Sequence, residues 1–159
     1  MKVVNLFEVE VGRDDDDPLG YDTGYARLAE RLGATKLGAT LYELPRGQSI
    51  CPYHYEYGNE EWLVVLSGRP TLRTPEGERE LEPGATVCFP EGPAGAHKVT
   101  NAREEPARVL ILSTKMSPDA AVYPDSNKIG IWTGNEADDP YRLFRIDSAV
   151  DYWDGEAER

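Results

Sequence analysis

An all-β jelly-roll barrel of two antiparallel sheets, with a short helical segment near the N-terminus, is the fold class this sequence predicts. Three observations predict it. From Lys36 onward the chain is a series of short apolar runs separated by Gly, Pro and acidic turns, the pattern of sandwiches and barrels. Helical character is confined to Thr23–Leu32, TGYARLAERL, which offers one or two turns that Gly33 would stop. A length of 159 residues suits one domain over 1–159, with a barrel core at about 37–114, an N-terminal arm at 1–36 and C-terminal strands and tail at 115–159.

Taken in order, Val3–Val11 reads as a strand, ended by Asp14–Asp17 and Pro18. Four adjacent carboxylates lack the D-x-D-x-D-G spacing of a calcium loop and read as a solvated turn. Leu37–Leu44 ends at Pro45-Arg46-Gly47, Ile50–Tyr57 at Gly58-Asn59, and Glu61–Leu66 at Ser67-Gly68. Thr71–Thr74 meets Glu78–Leu81 across Pro75-Glu76-Gly77, where Pro suits the first central turn position and Gly a left-handed one, so a hairpin is expected. Ala85–Phe89, His97–Thr100, Ala107–Thr114, Ala121–Tyr123 and Ile129–Thr133 bring the total to roughly ten strands in one unrepeated array. The tail carries Phe144, Ile146, Val150, Tyr152 and Trp153 at no clean period, and Trp153 is expected to pack against the barrel or a partner subunit.

Bulk charge excludes several partners. Lys and Arg total 17 against 29 Asp and Glu, a formal charge of -12, which repels nucleic-acid phosphates and anionic membranes. No run approaches the roughly 18 apolar residues of a membrane span, and the first residues lack the apolar core of a secretion signal. A cytoplasmic protein is expected. Cys51 and Cys88 are too few for a disulfide scaffold and lack metal-ligand spacing, so they read as reduced thiols. Cys51 lies three residues before His54, where its oxidation would disturb that histidine.

The stretch Gly47–Gly68, GQSICPYHYEYGNEEWLVVLSG, concentrates the chemistry. Side chains two apart on a strand share a face, so His54, Glu56 and Glu61 can point into one cavity, and His97 is the only other histidine. By the same parity Tyr53, Tyr55 and Tyr57 point away, into packing or an interface. Trp62 faces away from Glu61, and Val64 and Leu66 are expected to extend an outward apolar row that needs cover. Asn101 is expected to close its strand with a turn bond.

These residues carry a family resemblance. The chain resembles the cupins, small β-barrels with two motifs. The first, G-x5-H-x-H-x(3,4)-E-x6-G, is matched by Gly47, His54, Glu61 and Gly68, with one extra residue before His54. The second, G-x5-P-x-G-x2-H-x3-N, is matched by Gly84, Pro90, Gly92, His97 and Asn101, with two extra residues before His97. Glu56 stands where the family has its second histidine. Only Glu61, not Glu60, keeps six residues before Gly68.

The resemblance implies a divalent metal ion held by His54, Glu56, Glu61 and His97. Such a mixed nitrogen and oxygen set suits Mn, Fe, Ni or Zn without choosing among them. A barrel that has given up its metal would also show the exchanged histidine. Against that alternative, two carboxylates in one low-dielectric cavity repel unless a cation sits between them. The second carboxylate also brings the charge of an occupied site near zero, which favours neutral hydroxyl-bearing ligands over dianions such as oxalate.

Function then divides into three classes. A metal-dependent enzyme on a small metabolite would perform oxygenation, decarboxylation or sugar isomerisation; the others are a non-catalytic small-molecule sensor and a storage barrel. No Ser, Cys or Lys nucleophile has a spare histidine, so chemistry would fall to the metal. Glu60 is a candidate general base, weighed against a solvated surface carboxylate. The family also implies a homodimer with a small-molecule ligand and neither nucleic acid nor membrane as partner.

Overall fold

The computed structural model describes residues 1–134 and 141–156; the remainder of the 1–159 span, 135–140 and 157–159, lies outside the described residues. Among the described residues the strands are β1 (Gly24–Arg27), β2 (Leu37–Leu44), β3 (Tyr55–Glu56), β4 (Glu61–Ser67), β5 (Thr71–Thr74), β6 (Gly77–Glu80), β7 (Thr86–Phe89), β8 (Lys98–Thr100), β9 (Ala107–Thr114), β10 (Asp119–Tyr123), β11 (Lys128–Trp132) and β12 (Arg142–Arg145), with one helix, α1 (Leu28–Leu32). One face of the jelly roll is a five-stranded sheet in the order β1-β2-β9-β4-β7. The other face is divided into β12-β11-β10-β3 and β6-β5-β8. Two isolated bridges, Ser49 with Thr100 and His54 with His97, tie the segment leading into β3 to β8 and its approach. The division has a local cause: residues 50–53 run as a loop through Pro52, which has no N–H to give a ladder, so only Tyr55–Glu56 pairs with β10.

Every strand pairing among the described residues is antiparallel, and register sets which side chains share the barrel interior. In the large sheet Thr40 lies opposite Ile111, and Ile111 opposite Leu63. One rung along, Tyr42 lies opposite Val109, and Val109 opposite Val65. Leu44, Leu63, Val65, Leu72, Phe89, Val99 and Val109 form the buried core between the two faces. Burying each of these side chains contributes about 1.5–3 kcal/mol.

The outer face of the large sheet is covered by the chain itself. Ala26, Leu28 and Leu41 are buried there, with Val4, Leu6, Val9 and Val11 of the arm packed over Ala39, Leu66 and Leu110. Arg108 pins the arm by donating from its guanidinium to the carbonyls of Phe7 and Val9 at 3.2 and 2.8 Å. Leu66 is thus covered within one molecule, while Trp62 at the other end of the row stays 46% exposed.

Several local expectations are corrected. Val3–Val11 is not a strand: the Asn5 carbonyl accepts from the N–H of Glu8 and Val9, while its side chain accepts from Phe7 N–H, which curls the segment. The first half of Thr23–Leu32 pairs with β2 and only Leu28–Leu32 is helical. Gly33 ends that helix in the left-handed conformation, as expected. Trp153 does not pack on the barrel; it is 60% exposed and meets Tyr152 edge-on. Arg142–Arg145 forms β12 although all four residues are exposed and carry no amphipathic alternation. Gly68 has φ +76, and a Cβ there would lie 2.6 Å from the Ala107 Cα, so both conformation and space require glycine.

Candidate metal centre

The two histidines are brought together by their own backbones. His54 N–H donates to His97 C=O at 3.1 Å and His97 N–H donates to His54 C=O at 2.8 Å. Each ring is then fixed at its inner nitrogen. His97 Nδ1 lies 2.9 Å from Gly95 C=O and His54 Nδ1 lies 3.1 Å from Pro52 C=O, so both carry the proton there. That leaves both Nε2 lone pairs free. Phe89 stacks on His97 with ring centres 3.7 Å apart, and Tyr123 stacks on His54 at 5.8 Å.

Both free nitrogens face one carboxylate. Glu61 opens β4 between Phe89 of β7 and Ser113 of β9. Its Oε2 lies 3.4 Å from His97 Nε2 and 3.9 Å from His54 Nε2. Donor atoms of His54, Glu61 and His97 all lie within 4.8 Å of one another. Burial, followed by the neighbouring His54, holds His97 down at about 3, and burial lowers His54 as well. Burial and the Asp119 charge push Glu61 up to about 7. Two neutral imidazoles aimed at a desolvated carboxylate form a donor set whose charge is unmet, and a divalent cation fits it. His54, Glu61 and His97 would hold such an ion, and each histidine has the carbonyl partner that orients a ligand ring.

The fourth expected ligand, Glu56, lines the same cavity. Asp119 and Asn59 neighbour its carboxyl, and it does not join the three-residue cluster. Burial, then Glu61 and Asp119, push it up to about 8. Asp119 is buried and accepts from Gly58 N–H at 2.8 Å and from Asn59 Nδ2 at 2.7 Å. Asn59 in turn accepts from Thr114 Oγ1 and Met116 N–H. Sequence reasoning missed Asp119 because it started this strand at Ala121. Extending the strand by two residues puts Asp119, Ala121 and Tyr123 on one face, and Ala121 is the register partner of Glu56.

Comparison with known proteins agrees with this geometry. Residues 40–113 match the family model described as Cupin domain. One similar solved structure is a protein from Acidithiobacillus ferrooxidans designated a sugar phosphate isomerase, 25% identical over 83% of this chain and 81% of that chain, with a TM-score of 0.75. A second is a sugar phosphate isomerase of the cupin superfamily from Silicibacter pomeroyi, 22% identical over 96% of this chain and 98% of that one, with a TM-score of 0.79. A third is a predicted oxalate decarboxylase from Thermotoga maritima, 19% identical over 72% and 99% of the respective chains, with a TM-score of 0.59. Residues 40–113 of the chain therefore carry a cupin domain. Among curated proteins none matches its sequence significantly.

The cavity at this cluster is about 200 Å³ and is completed by Tyr42, Ile50, Cys51, Val99 and Ile111. Cys51 Sγ lies 3.5 Å from His54 Nδ1, and burial pushes its thiol well up, so it is an unreactive wall. Glu60 is exposed on the outside, within reach of Trp62 Nε1, and has no route to the cavity. Tyr55 and Tyr57 lie on the opposite side from the ligands, and Tyr53 is buried beneath the Arg73 guanidinium at 3.9 Å. Asn101 is fully buried and donates to the carbonyls of Leu44 and Glu105, both at 2.9 Å, closing the turn after β8. No helix among the described residues is long and apolar enough to cross a membrane.

Proposed function

We propose that this cupin is a metal-dependent enzyme that isomerises a small, neutral, hydroxyl-bearing carbonyl compound. The observation that carries the reading is the convergence of two oriented imidazole nitrogens on Glu61. His54, Glu61 and His97 are the ligand set, with Mn, Fe, Ni or Zn as the ion. When bound, a divalent ion supplies Lewis acidity toward a carbonyl or hydroxyl oxygen.

Glu56 stands beside that cluster without belonging to it, which suits a base. It takes a proton from the carbon next to the carbonyl and returns it to the neighbouring carbon, so the reaction needs no co-substrate and no net proton. Asp119 and Asn59 orient its carboxyl. Three carboxylates, Glu56, Glu61 and Asp119, disfavour a dianion in this cavity. The designation of the Acidithiobacillus protein supports the isomerase class, while the charge argues for an unphosphorylated compound here.

A second reading keeps Glu56 as a fourth ligand, with the barrel acting as a metabolite sensor. The two separate on one experiment. Protein purified without chelator or nickel resin is analysed for metal, then incubated with aldoses and ketoses in D2O, and exchange of the C2 proton is followed by NMR. Metal with exchange supports the enzyme, and metal without exchange supports the sensor. Protein that takes up no divalent ion, or binds oxalate more tightly than any sugar or polyol, would overturn both. The reading also carries a homodimer in the cytoplasm, which sedimentation at micromolar concentration tests for assembly.

A further inference from the structure

Beside the metal cavity lies a second cavity of about 270 Å³ that shares Tyr42 and Ile50 with it. It occupies the same inner sheet face as Glu61, two strands further toward the edge. Across β1 and β2, Arg27 lies opposite Thr40 and Tyr25 opposite Tyr42. Thr40 continues through Ile111 to Leu63 of β4, the strand that Glu61 opens. Tyr42 is close enough to both sites that burial, Cys51 and Glu61 together push its hydroxyl up to about 12. The two spaces are therefore neighbours on one sheet face, separated by Tyr42 and Ile50.

The chemistry of the second space differs from the first. Hydroxyls of Tyr21, Thr23, Tyr25 and Thr40 border it, and the outer wall is the acidic turn with Asp14 and Asp17. Among the described residues lining it Arg27 is the one cation, and its guanidinium is already within 3.8 Å of Glu30. Lys98 Nζ donates to the Tyr21 hydroxyl at 3.4 Å from behind this lining, so two engaged cations offset the two carboxylates, and a near-neutral site matches hydroxyl groups while tyrosine rings accept the C–H faces of a polyol.

The wall is also preformed. Gly12 and Tyr25 exchange main-chain hydrogen bonds, Arg13 pairs with Asp22 at 3.0 Å, and Gly20 C=O accepts from Ser49 N–H. An arm tied down at these points and by Arg108 loses little entropy when a ligand enters.

We propose that this hydroxyl-lined cavity is a distal subsite that binds the far end of a neutral polyhydroxylated chain whose reactive end lies at His54, Glu61 and His97. The proposal rests on the metal-dependent reading above and deepens it by setting ligand length and charge. A three-carbon polyol fills the metal cavity alone; a six-carbon one reaches past Tyr42 to Thr40 and Tyr25.

The test uses full-length protein loaded with Zn2+, titrated by NMR with glycerol, sorbitol and sorbitol 6-phosphate. Sorbitol is expected to bind about tenfold more tightly than glycerol, the gain of one or two added hydrogen bonds. Thr40→Val and Tyr25→Phe, which remove hydroxyls and keep shape, are each expected to shrink that sorbitol-to-glycerol ratio several-fold. Equal affinity for the two polyols overturns the subsite while leaving the metal reading intact. So does a ratio that neither variant changes, or tighter binding of the phosphorylated compound. If neither polyol binds the metal-loaded protein, the proposed function falls and takes the subsite with it. Should either variant fail to fold, the length series on the unmodified chain still decides.

Discussion

His54 and His97 form a single antiparallel rung, their main chains exchanging hydrogen bonds of 3.1 and 2.8 Å. The rung joins two motifs far apart in sequence and, with the Ser49–Thr100 bridge, ties the segment before β3 to β8. The candidate ligand cluster and the pairing of the two motifs therefore meet at one point. His54→Ala and His97→Ala should each lower metal affinity by more than about 100-fold, since loss of a ligand exceeds the 10–100-fold typical of its supporting contacts. Metal content after dialysis reads this directly. His97→Ala should in addition lower the melting midpoint, because Phe89 loses the ring stacked on it.

Glu56→Gln separates base from ligand. The amide keeps the shape and can still bond Asp119, so the protein should retain its metal. Proton exchange in a carbonyl substrate should fall by about 100-fold or more, the usual contribution of a positioned base. Loss of metal with Glu56→Gln would instead assign Glu56 to the ligand set.

Stability of the chelated protein should depend on pH in a defined direction. Glu61 and Glu56 are raised to about 7 and about 8, so the folded chain keeps protons that the unfolded chain has released. Their contribution is complete below an ordinary carboxylate value and is lost as pH rises through 7 to 8. His97 and His54 are lowered, so the unfolded chain takes up protons below its ordinary histidine value near 6.5, and stability falls as pH drops from there. The effects oppose each other in mildly acid solution, and above about pH 6.5 only the carboxylates act. The melting midpoint in chelator should fall between about pH 6.5 and 8, and saturating divalent metal, which binds the ionised carboxylate, should reverse that slope. A midpoint flat across this range with and without metal would contradict the assignment.

Asn101→Ala should destabilise the fold by about 1–3 kcal/mol by leaving the buried Leu44 carbonyl unpaired and removing the donor to the Glu105 carbonyl. Urea unfolding checks this, and metal content should be unchanged.

The strands flanking the site were legible because their turns are written in Gly and Pro: Leu37–Leu44 and Ala107–Thr114 have the bounds the sequence suggests. The parity of His54, Glu56 and Glu61 was legible too, and all three line one cavity with His97. Parity does not tell which carboxylate turns to which partner, so Glu56 read as equivalent to Glu61 until Asp119 supplied a competing bond. The arm was opaque for a different reason. Val3–Val11 has strand-like composition, but Asn5 diverts its hydrogen bonds locally, and its burial depends on a sheet made of residues far along the chain.

Because residues 4–11 already shelter the apolar flank formed by Leu41, Leu66 and Leu110, that flank is not available for self-association. Apolar ground left open elsewhere includes the neighbourhood of Tyr57, Phe144 and Val150. Losing the arm would free a sticky flank, and shortened chains would be prone to clump in orientations the intact molecule forbids.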